Sequence, residues 1–127
     1  MNKSFSLAAV LNVTTGRMLT EMDDIYKLLG HMTGDSPFTH QLPRFADECK
    51  PVLYEMFPEL VQVEAKCDRL DKLINSMNSG EAAVKTWLRE LSKLPELKES
   101  YDVPANCVNR HASVNPIVEM AAMLKGG

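Results

Sequence analysis

The sequence predicts an all-α domain, a single bundle of about five helices with room for one short strand or extended piece. Three observations carry that prediction. Apolar residues recur at i, i+3 and i+4 along most of the chain. Ser, Thr, Asn or an early Pro precedes these stretches, and Gly or Pro follows them. Finally, 127 residues at 45% hydrophobic and 24% charged suit one core and leave no length for a second. Residues 1–127 are therefore read as one domain.

Ser6 before Leu7-Ala8-Ala9-Val10-Leu11, with Gly16 after Thr14-Thr15, predicts a short first helix with Ser6 as its N-cap. The β-branched Val10, Val13, Thr14 and Thr15 leave a strand as the rival. Thr20, with Asp23 three residues on, reads as the cap of a second helix from about Glu21 to His31, on which Ile25, Leu28, Leu29 and Met32 share a face. Five turn formers, Thr33 to Pro37, then reverse the chain. Pro43 suits the first turn of a third helix striped by Leu42, Phe45, Ala46, Cys49, Leu53 and Met56. Pro51 falls inside it, so a kink or break is expected near Lys50.

From Glu59 onward Val63, Cys67, Leu70, Leu73, Ile74 and Met77 predict the longest helix, stopped between Asn75 and Gly80. Ser79 caps the next, with Val84, Trp87, Leu88, Leu91 and Leu94 on one face, and the short link between the two predicts an antiparallel hairpin. Tyr101 to Asn109 reads as an irregular connection with a short extended piece. Ser113 or Asn115 opens a last helix with Pro116 in its first turn, carrying Ile117, Met120, Ala121 and Leu124.

Lys and Arg total 14 against 17 Asp and Glu, a net charge of -3 with the signs interspersed. That excludes a polybasic DNA binder and an acidic nucleic-acid mimic. No signal peptide and no membrane span is read, and three irregularly spaced cysteines suit a reducing compartment. The cytoplasm is the expected location. Cys107 and His111 have the spacing of half a zinc site, but the second half is missing and Cys49 and Cys67 read as small core hydrophobes. No metal and no cofactor is implied. A Cys/His nucleophile lacks any local framing motif, and no enzyme activity is expected. Arg17, Arg44 and Lys50 are the nearest approach to a phosphate-contacting set. Eight methionines fill irregular cores or make adaptable contact surfaces, which is compatible with a homodimer.

The segment Phe38 to Pro51 concentrates His, Gln, Arg, Asp and Glu just after a turn, where a helix start offers free N–H groups. Two readings stand open: a polar recognition surface, or a self-satisfied network in which Arg44 pairs with Asp47 or Glu48.

Ser6-Leu7-Ala8-Ala9-Val10-Leu11-Asn12-Val13-Thr14-Thr15-Gly16-Arg17 and Phe38-Thr39-His40-Gln41-Leu42-Pro43-Arg44, with Asp47-Glu48-Cys49 and Pro51, resemble a family of short uncharacterised phage and prophage proteins. Its pattern is S-L-x-x-V-L-x-V-T-T-G-R followed by F-T-H-Q-L-P-R-x-x-D-E-C-x-P. The likeness is dense over about the first 55 residues, and His111 with Asn115 to Met120 weakly echoes the family's closing motif. Leu60 to Gly80 departs from it. The resemblance implies origin rather than mechanism. The expectation is a phage-encoded, non-enzymatic interaction protein that binds a host or phage protein through Asp35, Phe38, His40, Gln41 and Arg44, with inhibition of a host defence such as CRISPR as its concrete form. The alternative is a nucleic-acid accessory protein using Arg17, Arg44 and Lys50.

Overall fold

The computed structural model describes residues 2–108, 111 and 115–126. Within it, Ser6 ends one element and begins the next. Its extended backbone closes strand β1 (Asn2–Ser6), and its hydroxyl accepts the N–H of Ala9 at 3.2 Å as the cap of α1 (Leu7–Thr15). Helix therefore prevails over strand for residues 7–15. Leu7, Ala9, Val10, Leu11 and Val13 are all buried, so α1 runs through the core rather than over it. It stops at Gly16, whose φ of 71° is the left-handed conformation that favours glycine. Strand β1 pairs antiparallel with β2 (Ser100–Pro104), Phe5 opposite Tyr101 and Asn2 opposite Pro104. The extended piece expected at Tyr101 is β2. Its partner had no strand signal, because Asn-Lys-Ser-Phe-Ser places one apolar residue in five.

Helix α2 (Met22–Thr33) buries Leu28, Leu29 and Met32 completely. Thr20 does not cap it: Glu21 holds the N-cap position without a side-chain bond, and the Thr20 hydroxyl accepts from Asn12 Nδ2 at 2.6 Å. The Asn12 oxygen in turn accepts the N–H groups of Leu19 at 2.7 Å and Thr20 at 3.2 Å. One buried amide thus replaces water for Leu19 and Thr20 in the link between α1 and α2.

After a 3-10 turn over Thr39–Gln41, α3 (Leu42–Met56) carries Phe45, Cys49 and Leu53 into the core at i, i+4, i+8. The helix does not break at Lys50. Pro51 cannot bond the Asp47 carbonyl, but both residues are on the exposed face, where water can take that bond. With 15 residues α3 is the longest helix described. The length expected after Glu59 is instead divided among a 3-10 turn (Pro58–Leu60), α4 (Val61–Glu64) and α5 (Cys67–Ser76). The division falls where the Lys66 carbonyl accepts the indole N–H of Trp87 at 3.1 Å. A fully buried indole needs an acceptor, and it takes one from the backbone.

Helix α6 (Gly80–Leu91) starts with Ser79 accepting the N–H of Ala82 and buries Ala83, Trp87 and Leu91. Arg69 near the start of α5 pairs with Glu90 near the end of α6, so the two form the expected antiparallel hairpin. On α5, Ile74 is exposed at 43% although it lies on the predicted stripe. Helix α7 (Pro116–Gly126) begins at Asn115, whose side chain accepts the N–H groups of Ile117 and Val118. Its apolar residues Ile117, Val118, Met120, Met123 and Leu124 are all exposed, unlike those of the other long helices. Ser113 and Asn109 lie outside the described residues. The fold is mainly α, with seven α-helices rather than about five among the described residues and one two-stranded ribbon.

Candidate functional site

The site is assembled at the C-terminus of α2. Gly34 turns the chain out of the helix at φ 76°, its N–H bonded to the Gly30 carbonyl. The Thr33 hydroxyl accepts the N–H of Asp35, and the Asp35 carboxylate accepts that of Ser36 at 2.9 Å. Two leftover helix carbonyls, of His31 and Met32, accept from Asn106 at 2.9 Å and Val108 at 3.1 Å. These bonds stitch the stretch after β2 to the end of α2 and bring His111 to the same place.

The 3-10 turn is fixed separately. The Gln41 N–H bonds the Phe38 carbonyl, the Gln41 side-chain oxygen accepts the Phe38 N–H at 3.0 Å, and the Thr39 hydroxyl meets the Tyr26 hydroxyl at 2.5 Å. Gln41 is only 2% exposed. With its oxygen used by the backbone, its amide NH2 is left to donate, and it donates to Glu119 of α7 at 3.3 Å.

Between these two fixed points lies a charged network. His111 meets Glu48 through Nδ1 at 2.6 Å and Asp35 through Nε2 at 3.0 Å, with its side chain 9% exposed and its ring edge-on to Phe45 at 4.7 Å. Burial alone would lower the imidazolium pKa, but the hydrogen bonds to Asp35 and Glu48 outweigh it and the net shift is upward. Arg44 lies over the Phe45 ring, reaching Glu48 at 3.3 Å and the Glu119 oxygen through Nε at 3.0 Å, with Nη2 at 2.9 Å from the same oxygen. That hydrogen bond holds the Glu119 carboxyl below the usual carboxylate range.

The structure brings Asp35, Gln41 and Arg44 together in this network, as members that hold one another. Phe38 and His40 stand at its edge: Phe38 is 57% exposed and packs edge-on against the half-buried His40 at 6.2 Å. Arg44 pairs with Glu48, one of the two partners that the self-satisfied reading offers, while Phe38 stays exposed. Arg17 and Lys50 lie elsewhere, Arg17 held bidentately by Asp71 of α5 and Lys50 by Glu64 of α4. The three basic residues therefore each engage a carboxylate on a different stretch of chain. Sequence reasoning did not place His111 or Glu119 in the site. The one signal was the weak resemblance around them, since their partners lie 63 to 78 positions away.

Residues 5–63 match a domain of unknown function, DUF7736. The match takes in the first helix, the turn after α2 and the whole of α3, so Asp35, Phe38, His40, Gln41, Arg44 and Glu48 all lie within the matched residues. His111 and Glu119 come from beyond it. No curated protein and no solved structure matches the chain.

An open groove of about 770 Å³ runs beside the network, lined by Glu48, Pro51, Val52, Glu55, Met56, Cys107 and Val108. Burial pushes the Cys49 thiol up to about 12 and raises that of Cys107 as well, so both are protonated at neutral pH. Among the described residues no group of three or more His, Cys, Asp or Glu is placed to hold a metal ion, and no helix is long and apolar enough to cross a membrane.

Proposed function

We propose that this chain is a non-enzymatic interaction protein that binds a protein partner through the 3-10 turn and the start of α3. The observation that carries the reading is the exposed Phe38 against His40, standing on a base that is anchored by Gln41, Arg44 and the Tyr26–Thr39 bond. An exposed aromatic residue beside polar groups is the composition of a protein interface, where Phe is enriched. The raised thiol pKa values of Cys49 and Cys107 speak against those two as nucleophiles. Arg17, Arg44 and Lys50 pair with carboxylates on three different stretches of chain, which speaks against one phosphate-binding set. Phage origin, a cytoplasmic site of action and a host defence complex as target rest on the family resemblance.

The test is a pull-down of the tagged protein from bacterial lysate, nuclease-treated, with Phe38→Ala and His40→Ala beside the wild type. A stoichiometric protein partner lost with either variant, at unchanged thermal stability, supports the reading. Recovery of nucleic acid alone, falling steeply with salt, overturns it in favour of the nucleic-acid accessory role.

A further inference from the structure

Helix α7 is attached to the domain in an unusual way. Ile117 and Leu124 are 78% and 79% exposed, and Val118, Met120 and Met123 are exposed with them, so apolar burial does little to hold the helix down. An isolated helix of 11 residues is marginal in water. What the helix does place in the domain is Glu119, one carboxylate oxygen accepting from Arg44 Nε at 3.0 Å and Gln41 Nε2 at 3.3 Å, with Arg44 Nη2 at ion-pair distance, 2.9 Å. The receiving groups are preorganised independently of α7. Gln41 is oriented by the Phe38 N–H, and Arg44 is stacked on Phe45 and paired with Glu48. A guanidinium and an oriented amide converging on one oxygen form a carboxylate site.

We propose that α7 is a self-ligand, its Glu119 occupying in the free protein the Gln41–Arg44 site that receives an acidic side chain of the protein partner. This rests on the interaction reading above and names the chemistry of that partner. The occupant also shows what the site accepts: a carboxylate carried on a helix whose neighbouring side chains Val118 and Met120 stay exposed. Because Glu119 is, among the described side chains of α7, the one that is not exposed, an external carboxylate can exchange with it without unfolding the core. Self-occupancy then lowers the apparent affinity for the partner, and emptying the site raises it.

The probe is a fluorescein-labelled peptide copying residues 115–124 of this chain, titrated against full-length wild type and Glu119→Ala by anisotropy. Glu119→Ala is expected to bind about tenfold more tightly than wild type. Adding Arg44→Ala to Glu119→Ala is expected to remove binding, as is replacing the glutamate in the peptide, with circular dichroism confirming that each protein is folded. If Glu119→Ala binds the peptide no better than wild type, yet wild type still captures its partner in the pull-down, the self-ligand falls and the interaction reading stands. If neither peptide nor partner is bound, both fall. If Glu119→Ala takes up a labelled single-stranded oligonucleotide in preference to the peptide, the site is a phosphate site and the proposal is overturned.

Discussion

A Cβ atom on Gly34 would stand 2.0 Å from the side-chain oxygen of Asn106, and Gly34 itself sits at φ 76°. Two separate demands, close approach and left-handed backbone, therefore converge on this glycine. Gly34→Ala is expected to destabilise the protein by about 1–2 kcal/mol from backbone strain, with the collision added. Removing the colliding group with Asn106→Gly should relieve the collision and leave the strain, which urea unfolding of the single and double variants measures.

Asn12 is buried and serves the Leu19 N–H, the Thr20 N–H and the Thr20 hydroxyl. Asn12→Ala leaves two backbone donors without their acceptor and is expected to cost about 1–3 kcal/mol. A loss below half a kcal/mol in urea unfolding would mean that water replaces the amide.

Thr14 presents the opposite case. It is fully buried, and its hydroxyl has no hydrogen-bond partner among the described residues, although its carbonyl accepts from the Tyr54 hydroxyl. The isosteric Thr14→Val is expected to leave stability unchanged or raise it by up to about 1 kcal/mol, because no bond is lost and a polar atom leaves the core. A clear drop in melting temperature would show that the hydroxyl is satisfied in solution.

His111 gives stability a pH dependence with a definite sign. Its folded pKa lies above the ordinary 6.5, so its pairing with Asp35 and Glu48 contributes fully below 6.5 and is lost as pH rises through the folded value. Of the charged groups around it, the carboxylates of Asp35 and Glu48 favour the imidazolium and the nearby guanidinium of Arg44 opposes it. The stability difference between wild type and His111→Gln, measured by urea unfolding, should be largest at acidic pH and shrink above neutrality. A difference independent of pH would remove His111 as the titrating group.

What sequence alone could read depended on how local the determinant is. The cap at Ser6, the stripes Leu28–Leu29–Met32 and Phe45–Cys49–Leu53, and the hairpin of α5 and α6 are all set by spacing within a few residues, and all stand in the structure. The break at Lys66 depends on an indole 21 positions away, and strand β1 depends on a partner near residue 100, so neither left a local trace. For the site, the turn and helix start were legible because turn formers and a helix-start proline are local signals. His111 and Glu119 were not, since nothing short-range ties an imidazole or a carboxylate to a partner more than sixty residues earlier.

The ribbon of β1 and β2 has a temporal side. Phe5 leaves the ribosome nearly a hundred residues ahead of Tyr101, the residue it must face. At about 5–20 residues per second, translation imposes a wait of roughly 5–20 s between the two. Throughout that interval the nascent α1, with its nearly continuous apolar surface, lacks the ribbon that packs against it.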